Sequence, residues 1–312
     1  MTTPLRWKSK VILFKPEVTY GTDPTPTGAL NAILMTGVTY SPMDGDDVSR
    51  DLEFPYLAAQ GKIPVGLRVR LQGKVELQGS GIAGTAPGWG PLLRACGCAE
   101  TIVAATSVTY NPITAGMESG TLWFWIDGTK QIVTGVRGDV TLQFTAQGIP
   151  YLSFDLTGLY GEPADVVQVS PTLTGFKKPT VVTKANTPTF IVNSVALVMR
   201  NFELDLNNQV TPRLLVGDEA ILITDRAETF SARVQATPIA TLNPFSLAKN
   251  ETSFGVSLVH GTTAGKIATL ALPYAELDRP GDYANQDGIL EWDLKGRALP
   301  STGNDQWSLA LT

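Results

Sequence analysis

The side chains that most often carry out chemistry in proteins are scarce in this sequence of 312 residues. It contains two cysteines, Cys96 and Cys98, and a single histidine, His260. A zinc site needs four well-placed ligands, and nucleophilic catalysis needs a nucleophile beside an activating base. The sequence offers neither combination. We therefore predict no metal site and no catalytic site, and we interpret the two cysteines as small buried residues at the end of a helix.

A glycine-rich segment, residues 79–84 (GSGIAG), has the spacing of a dinucleotide-binding loop. Such a loop follows a buried parallel strand, which is continuously apolar. The stretch before it, residues 66–79, instead alternates apolar and polar residues, which is typical of a strand with one dry and one wet face. The next helix also begins too late to direct its N-terminus at a pyrophosphate. We predict that the protein binds no cofactor.

The remaining polar motifs are interpreted as structural. Asp46 and Asp47 lie in a charged segment and are expected to be solvated or ion-paired, not a general acid and base. Residues 137–139 (RGD) are predicted to form a turn between two strands. His260 is predicted in a hairpin turn, at the place that Asp127 occupies in a similar unit earlier in the chain. An enzyme is therefore the least favoured class of function.

The composition indicates a β-protein with many turns. Apolar residues make up 43% of the chain, whereas charged residues make up only 17%, below the usual 25% or so. A surface with few charges is explained either by large self-association interfaces or by one large core. The net charge of −5 disfavours a protein that grips nucleic acid phosphates. The sequence shows no stretch of membrane-spanning length, no signal peptide and no cysteine spacing suited to a disulfide.

One unit of strand, turn and strand occurs twice, over residues 120–158 and 252–296. Each copy has an apolar strand, a glycine turn and a second strand containing Ile-x-Thr. Each ends on an aromatic-Asp-Leu-x-Gly strand, FDLTG at 154–158 and WDLKG at 292–296. Asp-Gly between alternating apolar runs is a strong hairpin signal. The repeated order favours internal duplication over a chance likeness between two β-rich segments.

The similarity extends to whole halves of the chain. Each half is predicted to contain a first strand, a long polar loop, an alternating strand, a short helix and the repeated unit. In the second half the helix is expected at residues 243–249, with Asn243 as its cap and Pro244 at its first position. We predict four segments: an N-terminal arm (1–15), a first domain (16–160), a linker (161–188) and a second domain (189–312).

Several segments resemble the major tail tube proteins of phages with long non-contractile tails. The similar stretches are residues 15–34 (KPEVTYGTDPTPTGALNAIL), 50–57 (RDLEFPYL), 61–66 (GKIPVG) and 77–97 (LQGSGIAGTAPGWGPLLRACG). The resemblance is densest over residues 11–160. It implies a mainly β fold made of two tandem β-sandwich or barrel domains of the tail tube type. Each domain would have a short flanking helix, and the chain would also have an extended arm and long loops.

The resemblance also implies a structural virion protein with no enzyme activity. Its copies would close into rings that stack into a tail tube, the conduit for DNA into the host. Because this chain carries two copies of a unit that most family members carry once, it implies three chains per ring with pseudo-sixfold symmetry. The implied partners are the protein itself, a tape-measure protein, the tail terminator and distal tail or baseplate proteins. DNA would pass without specific binding, and no membrane is involved. The implied location is the virion tail, and the host cytoplasm during assembly.

Residues 43–65 are predicted to form a long charged loop with an apolar patch, and residues 207–225 a corresponding loop in the second half. A loop of this length inside a compact domain is usually functional or disordered. We predict that the first loop contacts the neighbouring ring of a stack, through Asp51, Phe54, Tyr56 and Leu57.

The resemblance suggests that the alternating strands 66–79 and 228–237 belong to the sheet that faces the inside of the tube. Their polar positions carry several basic residues, which would retain DNA through its phosphates. We predict that nearby acidic residues offset this charge and keep the lumen net negative. The candidates are Asp139, Asp155 and Glu203. In the alternative, the basic residues of these strands pair across subunit boundaries and never face the channel.

A carbohydrate-binding or adhesin-like β-protein of a phage particle is the alternative function. Sugar-binding proteins of this kind would expose aromatic side chains in a groove. Trp123, Trp125 and Trp292 instead lie within predicted strands, which favours positions in a core or an interface.

Overall fold

The computed structural model describes residues 4–312, so the first three residues of the predicted arm lie outside it. The elements of the first half are β1 (Lys10–Pro16), β2 (Ala32–Ile33), β3 (Thr36–Ser49), β4 (Lys62–Glu76), α1 (Gly90–Ala95), β5 (Cys98–Val103), β6 (Ser107–Pro112), β7 (Gly120–Ile126), β8 (Thr129–Thr145), β9 (Tyr151–Leu159) and β10 (Ala164–Asp165).

The elements of the second half are β11 (Thr189–Val192), β12 (Val195–Ala196), β13 (Met199–Asp205), β14 (Asn208–Leu215), β15 (Asp218–Arg226), β16 (Thr229–Gln235), α2 (Pro244–Lys249), β17 (Phe254–His260), β18 (Ala268–Leu277), β19 (Ala284–Gln286), β20 (Ile289–Ala298) and β21 (Ser308–Leu311). The predicted mainly β fold is confirmed.

The alternating pattern of β4 corresponds to its two environments. Val69, Leu71 and Val75 are buried in the core, whereas Arg70 and Lys74 on the opposite face are exposed. A strand has a side-chain period of two, so this sequence buries one face of the sheet and leaves the other to solvent.

Each half consists of two packed sheets. In the first half, β2, β1, β7, β8 and β10 pair in that order, and the C-terminal part of β8 continues into a second sheet with β9, β4 and β3. In the second half, β12, β11, β17, β18 and β21 pair in the same order, and β20, β16 and β13 form the second sheet. Apolar side chains of both sheets fill one core, which is continuous between the halves.

The second sheets of the two halves join edge to edge. β8 pairs antiparallel with β13, with Phe144 opposite Phe202 and Leu142 opposite Leu204. The strand order is therefore β3, β4, β9, β8, β13, β16, β20 and β19. Within the described residues, β3 and β19 are the two open edges of this sheet.

The two segments predicted as long loops are mostly β-hairpins, so that prediction is wrong in its conformation. β3 and β4 remain paired as far as Ser49 and Lys62, which leaves only residues 50–61 as a loop. Residues 207–225 likewise form the hairpin of β14 and β15. Neither stretch shows the regular alternation of apolar and polar residues by which a half-buried strand is recognised, because glycine and proline interrupt both and residues 221–223 are continuously apolar.

Residues 137–139 also differ from the prediction, because they lie inside β8 and not in a turn. Strand β9 approaches closely here. A Cβ on Gly138 would lie 2.6 Å from the carbonyl oxygen of Asp155. The glycine that suggested a turn instead permits this contact between strands.

The predicted turns and helices are confirmed at several points. Asp127 and Gly128 both have positive φ between β7 and β8, which a two-residue hairpin turn of this type requires. In α2 the side chain of Asn243 accepts a hydrogen bond of 2.9 Å from the amide of Ser246. Pro244 is the first residue of that helix.

Candidate functional site

The open edge at β19 exposes apolar side chains whose equivalents in the first half are covered. Leu152 and Leu290 each stand two residues before the aromatic residue of the repeated final strand. Leu152 lies in the shared core and is 0% exposed, whereas Leu290 is 48% exposed. Ile289 and Tyr283 beside it are also exposed. Apolar side chains are therefore exposed at this end of the sheet.

The polar face of the eight-stranded sheet is dominated by ion pairs. The guanidinium of Arg70 donates to both carboxylate oxygens of Asp155, with 2.7 Å from Nε to Oδ1, and Gln72 donates to Oδ2 at 2.9 Å. Burial alone would raise the pKa of Asp155, but these hydrogen bonds outweigh it and hold the pKa below its usual value. Asp155 thus neutralises a basic position on this face.

Asp139 lies at the junction of the two halves and is partly buried. Its carboxylate accepts a hydrogen bond of 2.9 Å from the amide of Asn208 in β14. Burial, reinforced by the nearby charge of Asp205, raises the pKa of Asp139 to about 6. The residue therefore holds a hairpin of the second half as well as carrying charge on the polar face.

Glu203 occupies the next part of the same face, on β13. Its Oε1 accepts from Gln143 of β8 at 3.3 Å, so the contact bridges the junction between the halves. The three candidate lumen residues, Asp139, Asp155 and Glu203, thus lie on one continuous polar surface. A cleft of about 490 Å³ opens between Arg70, Asp139, Asp155 and the start of β14.

The predicted contact loop forms the exposed tip of the β3–β4 hairpin. Phe54 and Tyr56 stack on each other with ring centroids 5.4 Å apart, and Leu57 is fully exposed. Asp51 has a φ of 40° and accepts a hydrogen bond of 2.5 Å from Ser49, which ends the strand. The structure therefore presents the four residues together as a solvent-facing tip.

The potentially reactive side chains are buried within the fold. Cys96 and Cys98 are free thiols beside the end of α1, and burial raises the pKa of both, to about 12 for Cys98. Thiols of this kind are unreactive at neutral pH. His260 is the last residue of β17, not a turn residue as predicted, and it is 2% exposed. Its ring nitrogens contact Thr187 Oγ1 and the carbonyl of Thr180, which ties residues 180–187 to the second half.

Residues 79–84 pack against another loop. The amide of Gly81 donates to the carbonyl of Gly265, and α1 begins only at Gly90. Among residues 4–312 no group of three or more metal-binding side chains is found. No helix in the described chain is long and apolar enough to cross a membrane.

A profile of the phage tail tube protein family matches residues 7–303. The chain belongs to this family. No curated protein matches the sequence of this tail tube protein significantly. The match spans both halves, including the β3–β4 hairpin, the junction between the halves and the open edge at β19. The tail tube protein is thus a structural component of a phage tail, and its surfaces are to be understood as surfaces for assembly.

The sequence missed the contacts that hold the β14–β15 hairpin of this tail tube protein against its first half. Arg226 donates to the carbonyls of Cys96 and Gly97, at 3.3 and 2.9 Å. Tyr20 accepts from the amide of Ile221 at 2.6 Å, and Ile221 is 0% exposed. These residues are far apart in the chain, and the only local signal was the apolar run at residues 221–223.

The tryptophans considered for a sugar-binding groove lie in the sheets. Trp125 and Trp292 are buried. Trp123 is partly buried, donates to the carboxylate of Asp23, and has the ammonium of Lys130 3.0 Å from its ring centroid. The rings of these three tryptophans therefore pack against other residues of the chain and do not form an exposed sugar-binding groove.

Proposed function

We propose that this tail tube protein forms rings in which β19 of one copy pairs with β3 of the next. The observation that carries the proposal is the pairing of β8 with β13 inside the chain. A sheet built from two similar four-stranded units joined edge to edge, with one edge of each type still open, has the geometry of a heterologous contact that closes into a ring. Closure would also remove two open edges, which are otherwise sites of uncontrolled association.

The exposure of the two edges supports the same arrangement. Leu290 is 48% exposed on the strand beside β19, whereas its equivalent Leu152 is buried in the core. On the β3 edge, Met43 and Val48 are about half exposed, at 52% and 50%. Apolar surface at both open edges favours a contact that buries them against each other.

We further propose that the two halves are tandem tube domains, spanning residues 16–160 and 189–312, with 161–188 between them. The shared strand order, the short helix after β4 and after β16, and the repeated FDLTG and WDLKG strands support a duplication. Three such chains would give a ring with six similar domains. In the phages with long non-contractile tails that the sequence resembles, such rings stack into a tube.

The polar face of the eight-stranded sheet would line the lumen. Its ion pairs favour the passage of DNA, because an arginine already bound to a carboxylate is less available to phosphate. Asp139, Asp155 and Glu203 would reduce the positive potential of the wall. A clear excess of lysine and arginine facing the channel of an assembled tube would overturn this part of the proposal.

The hairpin tip with Asp51, Phe54, Tyr56 and Leu57 would contact the next ring of the stack. Deleting residues 51–60 should leave a folded protein that no longer forms tubes. The tube would enclose a tape-measure protein, end at a terminator and at distal tail or baseplate proteins, and deliver genome DNA to the host. It would be assembled in the host cytoplasm.

Negative-stain microscopy of the purified protein, with the mass of the ring measured by native mass spectrometry, tests the proposal. We expect rings of three chains, alone or stacked in hollow tubes. A protein that stays monomeric at all concentrations, or that forms rings with another number of chains, would contradict the ring proposal.

A further inference from the structure

A short motif occurs at equivalent places in the two halves. Residues 137–140 read Arg-Gly-Asp-Val, and residues 279–283 read Arg-Pro-Gly-Asp-Tyr. The register of the strands supports the equivalence. Two residues after each aspartate, Thr141 pairs with the residue before Phe154 and Ala284 pairs with the residue before Trp292, in the repeated final strand.

In the first half, this motif clamps the β14–β15 hairpin. Arg137 Nη1 donates to the carbonyl of Ile221 at 2.8 Å. Asp139 Oδ1 accepts from the amide of Asn208 at 2.9 Å, and the carbonyl of Gly138 accepts from the Asn208 side chain at 3.1 Å. All three residues of the motif therefore bind the hairpin, mostly through its main chain.

In the second half, the same motif has nothing to bind. The side chains of Arg279 and Asp282 are exposed, and neither makes a hydrogen bond or an ion pair anywhere in residues 4–312. Arg137 and Asp139 of the first motif both bind the hairpin, whereas Arg279 and Asp282 of the second motif bind no residue of the same chain. This difference indicates a binding surface that is unoccupied in the single chain.

The chain also contains the matching hairpin, likewise without a partner. Beyond the pairs Asp205–Thr229 and Asp44–Arg68, the two hairpins extend over residues 208–226 and 46–65, which are nearly equal lengths. Residues 46–65 are exposed throughout. The β3–β4 hairpin is therefore the element that corresponds to the one the first motif clamps.

We propose that Arg279 and Asp282 clamp the β3–β4 hairpin of a second copy of this chain. Asp282 accepts the amide of Asp46, which corresponds to Asn208. Arg279 donates to a carbonyl near Gln60, which corresponds to Ile221. The proposal rests on the ring arrangement above and adds its specific lateral lock. The stem and the C-terminal end of the loop bind the neighbour in the same ring, and the apolar tip at Phe54, Tyr56 and Leu57 remains for the next ring.

The acidic residues of the hairpin stem already have basic neighbours within the hairpin. Asp46 Oδ2 is 3.9 Å from Arg68, and Asp47 is 3.8 Å from Lys62. These cations offset the charge that Asp282 meets at the Asp46 amide. Because exposed ion pairs are weak, the main-chain hydrogen bonds would supply most of the specificity.

The first experiment compares Arg279→Ala with the wild type and with Lys184→Ala, which removes an exposed cation elsewhere. We expect the critical concentration for assembly, measured by sedimentation velocity, to rise about tenfold or more for Arg279→Ala. Lys184→Ala should assemble like the wild type. All three monomers should unfold at the same denaturant concentration, since Arg279 is exposed and makes no hydrogen bond or ion pair within residues 4–312. Normal assembly of Arg279→Ala would overturn the clamp but leave the ring intact.

A second experiment locates the contact. Asp282→Cys and Asp46→Cys proteins are mixed under oxidising conditions, and the native cysteines, being buried, do not compete. We expect a disulfide-linked dimer only in the mixture and only at concentrations where rings form. Rings without cross-linked dimer would refute the clamp. Absence of rings from the wild type would instead refute the proposed function.

Discussion

The two long hairpins of this tail tube protein occupy the same place in their halves and have nearly the same length, but only one of them is packed. The β14–β15 hairpin lies on the first half, where it buries Ile221, accepts a hydrogen bond from Arg137 and donates one to the Tyr20 hydroxyl. The β3–β4 hairpin extends into solvent, with Val48 and Ile63 about half exposed.

The cause of this difference lies in connectivity and not in local sequence. The second half follows the first in one chain, so β13 and its hairpin meet β8 without any loss of translational freedom. Within residues 4–312, β3 pairs only with β4, and its hairpin stays exposed. The exposed hairpin thus has the surface expected of an interface that forms in trans, as its counterpart forms in cis.

The largest effect is expected from the hairpin tip. Replacing Phe54, Tyr56 and Leu57 together by serine should reduce the fraction of protein in tubes by roughly tenfold or more, because each apolar side chain loses about 1.5–3 kcal/mol of burial. Rings should persist, because the stem is unchanged. Electron microscopy and sedimentation distinguish rings from tubes. Val167→Ser removes another exposed apolar residue and should have no effect, whereas tubes at normal yield in the triple variant would exclude the tip as the stacking element.

The next effect contrasts one isoleucine from each hairpin. Ile221→Ala should lower the free energy of unfolding by about 3 kcal/mol, because it empties a fully buried site. Ile63→Ala should change it by less than about 0.5 kcal/mol in the monomer. Urea unfolding of both variants provides the measurement. Equal effects would mean that the β3–β4 hairpin is packed in the isolated chain, contrary to its 51% exposure.

The two arginines of the repeated motif should differ in the same way, by a smaller amount. Arg137→Ala leaves the carbonyls of Met117, Glu118 and Ile221 without their donor, and should lower the free energy of unfolding by about 2 kcal/mol. Arg279→Ala should leave monomer stability unchanged. If Arg137→Ala also left the free energy of unfolding unchanged, the hydrogen bonds of Arg137 would not stabilise the β14–β15 hairpin. The equivalent role proposed for Arg279 would then lose its support.

Much of the fold could be predicted because several strands alternate cleanly. The pattern of β4 and the two FDLTG-like strands fixed their faces, and the Asn243 cap marked α2. The hairpin stems could not be recognised, since they are held by main-chain pairing and by contacts remote in sequence. For the same reason residues 137–139 were misassigned. Their glycine reflects a close neighbour, Asp155, that only the assembled sheet reveals.

The candidate site was predictable in part. Charge counting alone grouped Asp139, Asp155 and Glu203, and the structure places all three on one polar face. It could not separate their roles, which depend on partners. Asp155 is bound by Arg70, Glu203 bridges to Gln143, and Asp139 holds Asn208.

The smallest expected effect separates Asp139 from Asp155 by pH. Burial raises the pKa of Asp139 to about 6, so its contribution to stability is present below its unfolded pKa of about 3.8 and is lost as pH rises through 6. The Asp139→Asn variant cannot ionise at this position. Its free energy of unfolding should therefore exceed that of the wild type by about 1 kcal/mol at pH 7.5, after allowance for solvent screening, and this gain should disappear near pH 4.

Asp155→Asn should behave oppositely. The pKa of Asp155 is lowered, so its contribution is present above pH 3.8 and lost below it, and the variant should be less stable at neutral pH. Thermal unfolding of the three proteins from pH 4 to 7.5 gives both difference curves. If both variants were less stable than the wild type at neutral pH, Asp139 would be stabilised in its charged form, as Asp155 is. The pKa of Asp139 would then not be raised at the junction between the halves.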